Sequence, residues 1–246
     1  MAFHVVIPAR YASTRLPGKP LLDIGGVPMI QRVVARACAS SAAEVLVATD
    51  DARIGAAVAD TRHPERSIAV MTDPALPSGT DRVAAVAAAR GWSDDTVVVN
   101  VQGDEPFLPP GLIDQVAGLL EHDATAAVAT LASPIESLAE FIDPNVVKVV
   151  KAHDGAALYF SRAPIPWTRE GTSGGLAGQR EFGDALRHVG LYAYRVGALR
   201  RLTALPPSAY EQREKLEQLR ALEAGLRIVV AACREPPAPG VDTEAD

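Results

Sequence analysis

Short runs of β-branched residues alternate with longer alanine-rich segments over the first 150 residues of the chain. The short runs have the length of strands, and the longer segments place apolar residues at helical spacing. Residues 97–99 are apolar at every position, which is typical of a strand covered by helices on both faces. The alternation predicts a parallel sheet flanked by helices. The predicted strands are Phe3–Ile7, Glu44–Ala48, Ser67–Met71, Thr96–Val101, Thr125–Leu131 and Val146–Lys151, and the predicted helices are Pro28–Ser40, Ala52–Ala59, Thr80–Arg90 and Pro110–Glu121.

In the second part of the chain, strand-like runs are more closely spaced and enclose a glycine-rich stretch at residues 171–183, which predicts a loop. A later segment with leucines on one stripe predicts a single helix, and one more strand follows it. No repeat or low-complexity linker separates independent units. We therefore expect one domain over residues 1–246, with an inserted lobe at about residues 143–195. The predicted elements here are the strands Ala156–Ser161, His188–Arg195 and Arg227–Ala231 and the helix Tyr210–Ala224.

The composition is that of an ordinary globular protein, with 48% hydrophobic and 22% charged residues and a net charge of -6. A chain with this charge lacks the electrostatic footprint of a nucleic-acid or anionic-membrane binder, so a bound anion needs a local basic cluster. The sequence contains no export signal and no apolar run of about 18 residues, which favours a cytoplasmic protein. Cys38 and Cys233 belong to no C-x-x-C motif, which favours reduced thiols.

The first candidate segment, residues 8–20, directly follows the first predicted strand. It contains Arg10, Arg15 and Lys19, and no acidic residue precedes Asp23. Ligands of open parallel sheets bind at the carboxyl ends of the strands, and guanidinium and ammonium groups there can neutralise phosphate oxygens. The spacing fits neither a Walker A loop nor a dinucleotide fingerprint. The segment therefore indicates a polyphosphate site of another kind, and a solvated basic loop is the alternative.

The second candidate segment follows the most hydrophobic predicted strand and contains Gln102, Gly103 and Asp104. A carboxylate at the end of a buried strand can bind Mg²⁺, which commonly bridges such a group to substrate phosphates. Asp104 is therefore a candidate metal ligand, and Gln102 is a candidate hydrogen-bonding partner of a substrate. An ordinary Gly-Asp turn would produce the same pattern.

The third candidate segment is Ser-Gly-Thr-Asp-Arg at residues 78–82, at the start of a predicted helix. Ser78 or Thr80 at that place is most often a helix N-cap. The functional alternative is a turn whose backbone contacts a base or ribose.

These three segments belong to an ordered series of motifs that spans nearly the whole chain. The series consists of residues 5–26, Ala-Thr-Asp (48–50), Ser-Gly-Thr-Asp-Arg (78–82), Val-Asn-Val-Gln-Gly-Asp-Glu-Pro (99–106), Asn-Val-Val-Lys-Val-Val (145–150), Ala-Leu-Tyr-Phe-Ser-Arg-Ala (157–163), Ile-Pro-Trp (165–167), Arg-His-Val-Gly-Leu-Tyr-Ala-Tyr-Arg (187–195), Glu-Lys-Leu-Glu-Gln-Leu-Arg (214–220) and Gly-Val-Asp-Thr (240–243). In order and content it resembles the family of 3-deoxy-manno-octulosonate cytidylyltransferases, the CMP-Kdo synthetases.

The resemblance implies a Rossmann-like, mostly parallel sheet of the nucleotide-diphospho-sugar transferase type, with an inserted dimerisation lobe and a homodimer. It implies that CTP and Kdo give CMP-Kdo and pyrophosphate for lipopolysaccharide biosynthesis, with Mg²⁺ as cofactor. Arg10, Lys19 and Asp104 are the implied catalytic residues. The nucleotide is assigned to Ala9, Arg10, Arg15, Lys19, Ser78, Gly79, Thr80, Arg82 and Gln102, the sugar acid to Gln102, Arg162, His188, Tyr192 and Glu217 with Gln218 as a further candidate, and the metal to Asp104 and Asp242.

Several implied sugar-binding residues have plain structural alternatives. His188 is also explained as a core histidine, and Arg162 as a surface ion-pair partner. Glu217 and Gln218 are neighbours on one predicted helix, so their side chains point about 100° apart and need not face one cavity. Near Asp242 the chain reads Val-Asp-Thr-Glu-Ala-Asp, whereas the family usually continues with a proline, acidic residues and a closing helix.

Two other functions compete with this interpretation. A CMP-sialic acid synthetase shares the fold and the class of sugar, but those enzymes typically show Ser-Lys in the first loop and Lys-Asn after it. This chain has Ser-Thr-Arg-Leu-Pro-Gly-Lys-Pro-Leu at residues 13–21, which favours Kdo. A non-catalytic nucleotide-binding relative is expected to lack Asp104 or the basic residues of the first loop, and this chain retains them.

Overall fold

The computed structural model describes residues 2–12, 16–61, 65–169, 182–237, 240, 241 and 243. The described strands are β1 (Phe3–Ala9), β2 (Glu44–Thr49), β3 (Ser67–Met71), β4 (Val97–Asn100), β5 (Val128–Pro134), β6 (Lys148–Lys151), β7 (Ala157–Ser161), β8 (Leu186–Arg195) and β9 (Ile228–Ala232). The described helices are α1 (Met29–Cys38), α2 (Ala52–Ala59), α3 (Gly79–Ala89), α4 (Pro110–His122), α5 (Leu138–Ile142), α6 (Val196–Ala204), α7 (Ala209–Glu214) and α8 (Gln218–Glu223), together with a short 3-10 helix at Lys19–Leu21.

The main sheet has the order β3-β2-β1-β4-β8-β5-β9. Strands β1 to β4 pair in parallel, and so do β5 and β9. Strand β8 runs antiparallel between β4 and β5, and the β6–β7 hairpin pairs with its beginning. The predicted α/β fold with a mostly parallel, helix-flanked sheet is confirmed.

Two hydrophobic clusters cover the two faces of this sheet. Strand β4 contributes to both, because Val97 and Val99 point to one face and Val98 to the other, each at most 1% exposed. One cluster packs against α1 and α4, and the other against α3, α6 and α8. Burial on both faces explains why this strand has no polar alternation.

The helix predicted over residues 210–224 is wrong in one respect, because α7 and α8 are separate helices. Between them Lys215 adopts a left-handed conformation with φ of 55°, which ends α7. Ser208 caps the start of α7 by accepting a hydrogen bond from the Glu211 backbone N–H at 3.2 Å. The leucine stripe is continuous in sequence and gave no sign of the break.

Strand β5 begins three residues later than predicted and extends to Pro134. The residues before it form a turn in which one Asp123 carboxylate oxygen accepts the backbone N–H groups of Thr125 and Ala126 at 2.9 and 3.1 Å. An aspartate turn of this kind competes with strand pairing for the same backbone donors. Helices α5 and α6 were not predicted.

Residues 143–195, for which we predicted an inserted lobe, contain the β6–β7 hairpin and also β8, a central strand of the main sheet. The division into domain and lobe stays a prediction. Most of the glycine-rich stretch, including residues 170–181, lies outside the described residues.

Cys38 is buried and Cys233 is partly buried, and both are free thiols. Among the described helices, none is both long enough and apolar enough to span a membrane.

Candidate active site

Three loops meet at Pro8, near the carboxyl end of β1. A Cβ atom on Gly103 would lie 2.8 Å from the Pro8 carbonyl oxygen, so only glycine fits the turn after β4. A Cβ atom on Gly79 would lie 3.2 Å from Pro8 Cγ, so the start of α3 packs there as well. The three candidate segments of the sequence therefore adjoin one another at the carboxyl edge of the sheet, where ligands of such folds bind.

Lys19 and Asp104 form an ion pair between the first loop and the loop after β4. Lys19 Nζ lies 2.7 Å from Asp104 Oδ2, and the Lys19 side chain is 12% exposed while that of Asp104 is 36% exposed. Gly18, with φ of 70°, places Lys19 at the start of the 3-10 helix. The backbone N–H of Gly18 donates to the Tyr11 carbonyl oxygen at 3.0 Å. A carboxylate and an ammonium group are thus held together at the open end of the sheet.

Arg82 belongs to a buried network behind this edge. Its side chain is fully buried, and its guanidinium donates to Asp50 Oδ2 at 2.6 Å and to Thr72 Oγ1 at 2.5 Å. Burial lowers the pKa of Arg10, with the Arg82 charge the next cause and the Asp50 carboxylate opposing it. Arg82 therefore stabilises the wall beside Arg10 and presents no side-chain surface of its own.

The Ser-Gly-Thr-Asp-Arg turn begins α3, and its contact with a base or ribose stays a prediction. Ser78 is the N-cap of α3, in a capping box with Asp81 whose two backbone-to-side-chain distances are 3.1 and 3.2 Å, so the cap prediction is confirmed. Thr80 instead donates to Glu217 Oε2 at 2.6 Å, and this bond joins the start of α3 to the start of α8.

A cavity of about 190 Å³ adjoins this bond. Its polar wall comes from α3, from β4 and the loop after it, from β8, and from the end of α7 and the start of α8. Glycine and apolar side chains form the rest. The polar lining residues are Thr80, Asn100, Gln102, Tyr192, Tyr194, Lys215, Glu217 and Gln218.

Glu217 and Gln218 both line the cavity, although neighbours on a helix need not face the same cavity. The left-handed Lys215 ends α7, so that Glu217 is the N-cap and Gln218 the first residue of a new helix. Both residues therefore reach the cavity from the start of α8, which begins only after the break at Lys215.

His188 lies behind the cavity wall, next to Tyr192. Its imidazole packs against Phe160 and Tyr192, with ring centroids 5.0 and 5.2 Å away, and its Nε2 lies 3.0 Å from Thr130 Oγ1. Burial lowers the pKa of His188 to about 3, and burial also raises the pKa values of Tyr192 and Tyr194. All three groups are therefore neutral near pH 7 and act as hydrogen-bonding groups of fixed shape.

Arg162 does not line the cavity; Glu214 holds it beside the helix break. The Glu214 carboxylate accepts Ser161 Oγ–H at 2.7 Å and the Arg162 backbone N–H at 2.9 Å. The Arg162 guanidinium donates to the Glu214 carbonyl oxygen at 2.6 Å and to that of Pro144 at 2.8 Å. Glu214 thus connects the end of β7 to the end of α7.

Ala9, the last residue of β1, is 2% exposed. Arg15 and Asp242, two of the predicted site residues, lie outside the described residues. The backbone N–H of Val241, which precedes Asp242, donates to the Asp104 carbonyl oxygen at 2.9 Å.

The residues that the sequence pattern did not single out are Asn100, Glu214 and Lys215. Asn100 had a signal, since it is the polar end of an otherwise all-valine strand. Glu214 and Lys215 had none, because a charged residue on an amphipathic segment resembles any solvated position.

The donor set at the edge of the sheet suits Mg²⁺. This ion takes oxygen ligands and is usually bound by one or two carboxylates together with substrate phosphates. The part-exposed Asp104 carboxylate supplies such a ligand. Within the described ranges no three His, Cys, Asp or Glu side chains cluster as a metal site. These described residues therefore do not form a metal site made of protein ligands alone.

Residues 4–228 match the cytidylyltransferase family. A 3-deoxy-manno-octulosonate cytidylyltransferase of Thioalkalivibrio sulfidiphilus is 53% identical over 246 residues, covering 100% of this chain and 96% of that protein. A protein of the same name from Xanthomonas euvesicatoria is 54% identical over 248 residues, covering 99% and 93%. Among solved structures, CMP:2-keto-3-deoxy-manno-octonic acid synthetase complexed with CTP is 43% identical with a TM-score of 0.87, covering 100% of this chain and 95% of its own.

The fold, the site and these relatives define the chain as a nucleotidyltransferase of the cytidylyltransferase family. Within that family it belongs to the 3-deoxy-manno-octulosonate cytidylyltransferases, and the resemblance seen in its motifs is confirmed.

Proposed function

We propose that this site transfers the cytidylyl group of CTP to the anomeric hydroxyl of Kdo and releases pyrophosphate, forming CMP-Kdo for lipopolysaccharide biosynthesis. The observation that supports it most is the Lys19–Asp104 pair, with its 2.7 Å separation, at the carboxyl edge of the sheet. The cavity lined by Gln102, Tyr192 and Glu217 lies at the same edge. Phosphate chemistry and sugar binding are thereby adjacent.

Lys19 and Arg10 bind the triphosphate in this proposal, with Arg15 in the same loop. Phosphoryl transfer depends on positioning and on charge stabilisation, and requires no protein nucleophile. When CTP arrives, the Lys19 ammonium exchanges its Asp104 oxygen for phosphate oxygens. It then stabilises the charge of the departing pyrophosphate, as an oriented cation does at a transition state.

The anomeric hydroxyl of Kdo attacks the α-phosphorus in line, forming the new O–P bond while the bond to pyrophosphate breaks. In the overall balance the hydroxyl proton ends on the released pyrophosphate. Gln102, Tyr192 and Glu217 bind and orient the sugar acid, and His188 supports the Tyr192 ring. Arg162 lies outside the cavity, beside the helix break, and in this proposal its guanidinium binds the sugar carboxylate where the sugar acid extends beyond the cavity, since such a group binds a carboxylate bidentately. Glu214 presents Arg162 for that role.

Asp104 would hold Mg²⁺, and Asp242 is the second proposed ligand. The contact between Val241 N–H and the Asp104 carbonyl oxygen supports that pairing. A bound Mg²⁺ supplies Lewis-acid stabilisation of phosphate charge.

The test is pyrophosphate release from CTP and Mg²⁺ with Kdo, with sialic acid and with no sugar. We expect release with Kdo alone, and at least about 10³-fold less with Asp104→Asn, because the variant loses the metal carboxylate and the Lys19 partner. Asp154→Asn is the matched control, since Asp154 pairs with Arg227 at 2.8 Å at an exposed site.

Release with sialic acid instead of Kdo would support the same cytidylyl transfer with a different sugar substrate. If neither sugar acid gives pyrophosphate release from a purified and intact chain, the proposed function is refuted.

Two further features are proposed on family grounds. We expect a homodimer in solution, which light scattering measures directly. We also expect the protein in the cytoplasm, where CTP is made available.

A further inference from the structure

Asn100, the last residue of β4, has an unusual environment in the cavity wall. Its side chain is 2% exposed, and its amide oxygen Oδ1 is buried with no hydrogen-bond partner in the part of the protein that the structure describes. A buried acceptor that has lost water and gained no donor destabilises a fold, and native structures contain few of them. Packing alone would therefore favour an apolar residue at this position.

The position of Asn100 relates it to the sugar side of the site. Along β4, Asn100 and Val98 share one face of the sheet, and Val98 packs in the same cluster as Tyr192 and Tyr194. Asn100 is also the register partner of Tyr192 on β8. Residues at the beginning of α8 line the same cavity as Asn100.

We propose that Asn100 is a substrate-binding residue whose amide oxygen accepts a hydrogen bond from one hydroxyl group of the sugar acid. The proposal rests on the function proposed above. The terminal torsion of an asparagine side chain is broad, so rotation about it can turn the oxygen toward the cavity. The energetic cost of the unsatisfied oxygen in the free protein is then recovered when the sugar binds.

This arrangement makes Asn100 a specificity determinant. A site with a buried acceptor discriminates strongly against an analogue that lacks the matching hydroxyl, because the acceptor stays unsatisfied in the complex. A hydrophobic wall could not distinguish the substrate from an analogue that lacks this hydroxyl group to the same degree. The sugar is therefore recognised by a hydroxyl as well as by its carboxylate.

The first experiment replaces Asn100 by leucine, which has nearly the same shape. We expect the KM for Kdo to rise about tenfold or more, the KM for CTP to stay within about twofold, and the Tm without ligands to stay equal or rise. The matched control is Gln115→Met. Gln115 is a buried amide with both ends satisfied, since its Nε2 donates to the Ala232 carbonyl at 2.7 Å and its Oε1 accepts the Arg234 N–H at 3.0 Å. Gln115→Met is expected to lower the Tm and leave both KM values unchanged.

The second experiment compares Kdo with analogues that each lack a single hydroxyl. We expect the wild type to lose about tenfold in kcat/KM with one of them, and Asn100→Leu to show little further loss with that same analogue. If the leucine variant fails to fold, Asn100→Thr is measured in the same cycle.

Three results would overturn the proposal: a lower Tm with an unchanged KM for Kdo, a rise in the KM for CTP alone, or equal loss with every analogue in both proteins. A wild-type chain that releases no pyrophosphate with Kdo would instead refute the proposed function, so the two failures are distinguishable.

Discussion

The proposed phosphate side and the proposed sugar side of the site are built from opposite kinds of chemistry. At the carboxyl ends of β1, β2 and β4, charged side chains are paired with one another, as in Lys19–Asp104 at 2.7 Å and Arg82–Asp50 at 2.6 Å. Around β8 and α8, the groups are largely neutral and burial has shifted their pKa values away from ionisation, as for Tyr192 in the cavity wall and His188 behind it.

Under the proposed function, this difference lets one site bind two unlike ligands. A triphosphate brings charge, so its side of the site contains charges that can exchange partners when it arrives. A sugar acid brings many hydroxyl groups and one carboxylate, so its side contains fixed, oriented hydrogen-bonding groups with Glu217 as a cavity-lining carboxylate. The phosphate side is therefore expected to respond to salt, and the sugar side to changes of shape.

Glu214 gives the most severe test of this division between the two sides, because it has a charge but belongs to the sugar side. Glu214→Gln removes one of the two carboxylate oxygens that accept Ser161 Oγ–H and the Arg162 N–H. We expect the KM for Kdo to rise about tenfold and the KM for CTP to stay within about twofold, since a charge-assisted hydrogen bond is lost from a positioning residue.

Steady-state kinetics with each substrate varied in turn measures this effect. Glu223→Gln is the control, because Glu223 accepts a hydrogen bond from Ser208 on an exposed surface. Equal changes in both KM values would contradict the division between the two sides.

A second test uses the neutral state of His188. Its pKa is about 3 in the folded protein and about 6.5 when unfolded, so the unfolded state takes up the proton first as pH falls. The stability that this group contributes is complete above pH 6.5 and is lost progressively between pH 6.5 and pH 3. From pH 7 to pH 5 we expect the wild type to lose about 1–2 kcal/mol more than His188→Gln. Denaturant unfolding at several pH values measures the difference, and parallel curves would show that His188 is not held neutral.

The smallest expected effect concerns the backbone at Lys215, where φ is 55°. A residue with a Cβ atom is disfavoured in this conformation, and glycine is not. Lys215→Gly is expected to be about 1 kcal/mol more stable than Lys215→Ala, which corresponds to about 2–4 °C in Tm. Both variants lose the lysine side chain, so their difference isolates the backbone. Equal Tm values would mean that the helix break relaxes when the side chain is removed.

The phosphate side could be predicted from the sequence because its chemistry is local. Lys19 and Asp104 each follow a strand in a compact motif, and the rule that ligands bind at carboxyl ends brings the two motifs to one edge. Their pairing across 85 positions of sequence was not predictable from either motif.

The sugar side could be predicted only in part, because tertiary context determines it. Nothing in the leucine stripe indicates that Lys215 interrupts the helix, and so a new helix beginning beside Glu217 and Gln218 could not be derived. The strand containing His188 and Tyr192 was predicted, but periodicity does not give its direction or its neighbours in the sheet.

The place of β8 in the sheet has a consequence for how the chain folds. Strands β4 and β5 are separated in sequence by the loop and α4, yet each pairs with β8 rather than with the other. During synthesis, β4 therefore has an open edge until residues 186–195 have been made, and non-local pairing of this kind is slow. Because β8 also supplies His188 and Tyr192, the step that joins the two halves of the sheet is the same step that builds the wall of the sugar site. A chain that has not completed its sheet has no sugar site to expose.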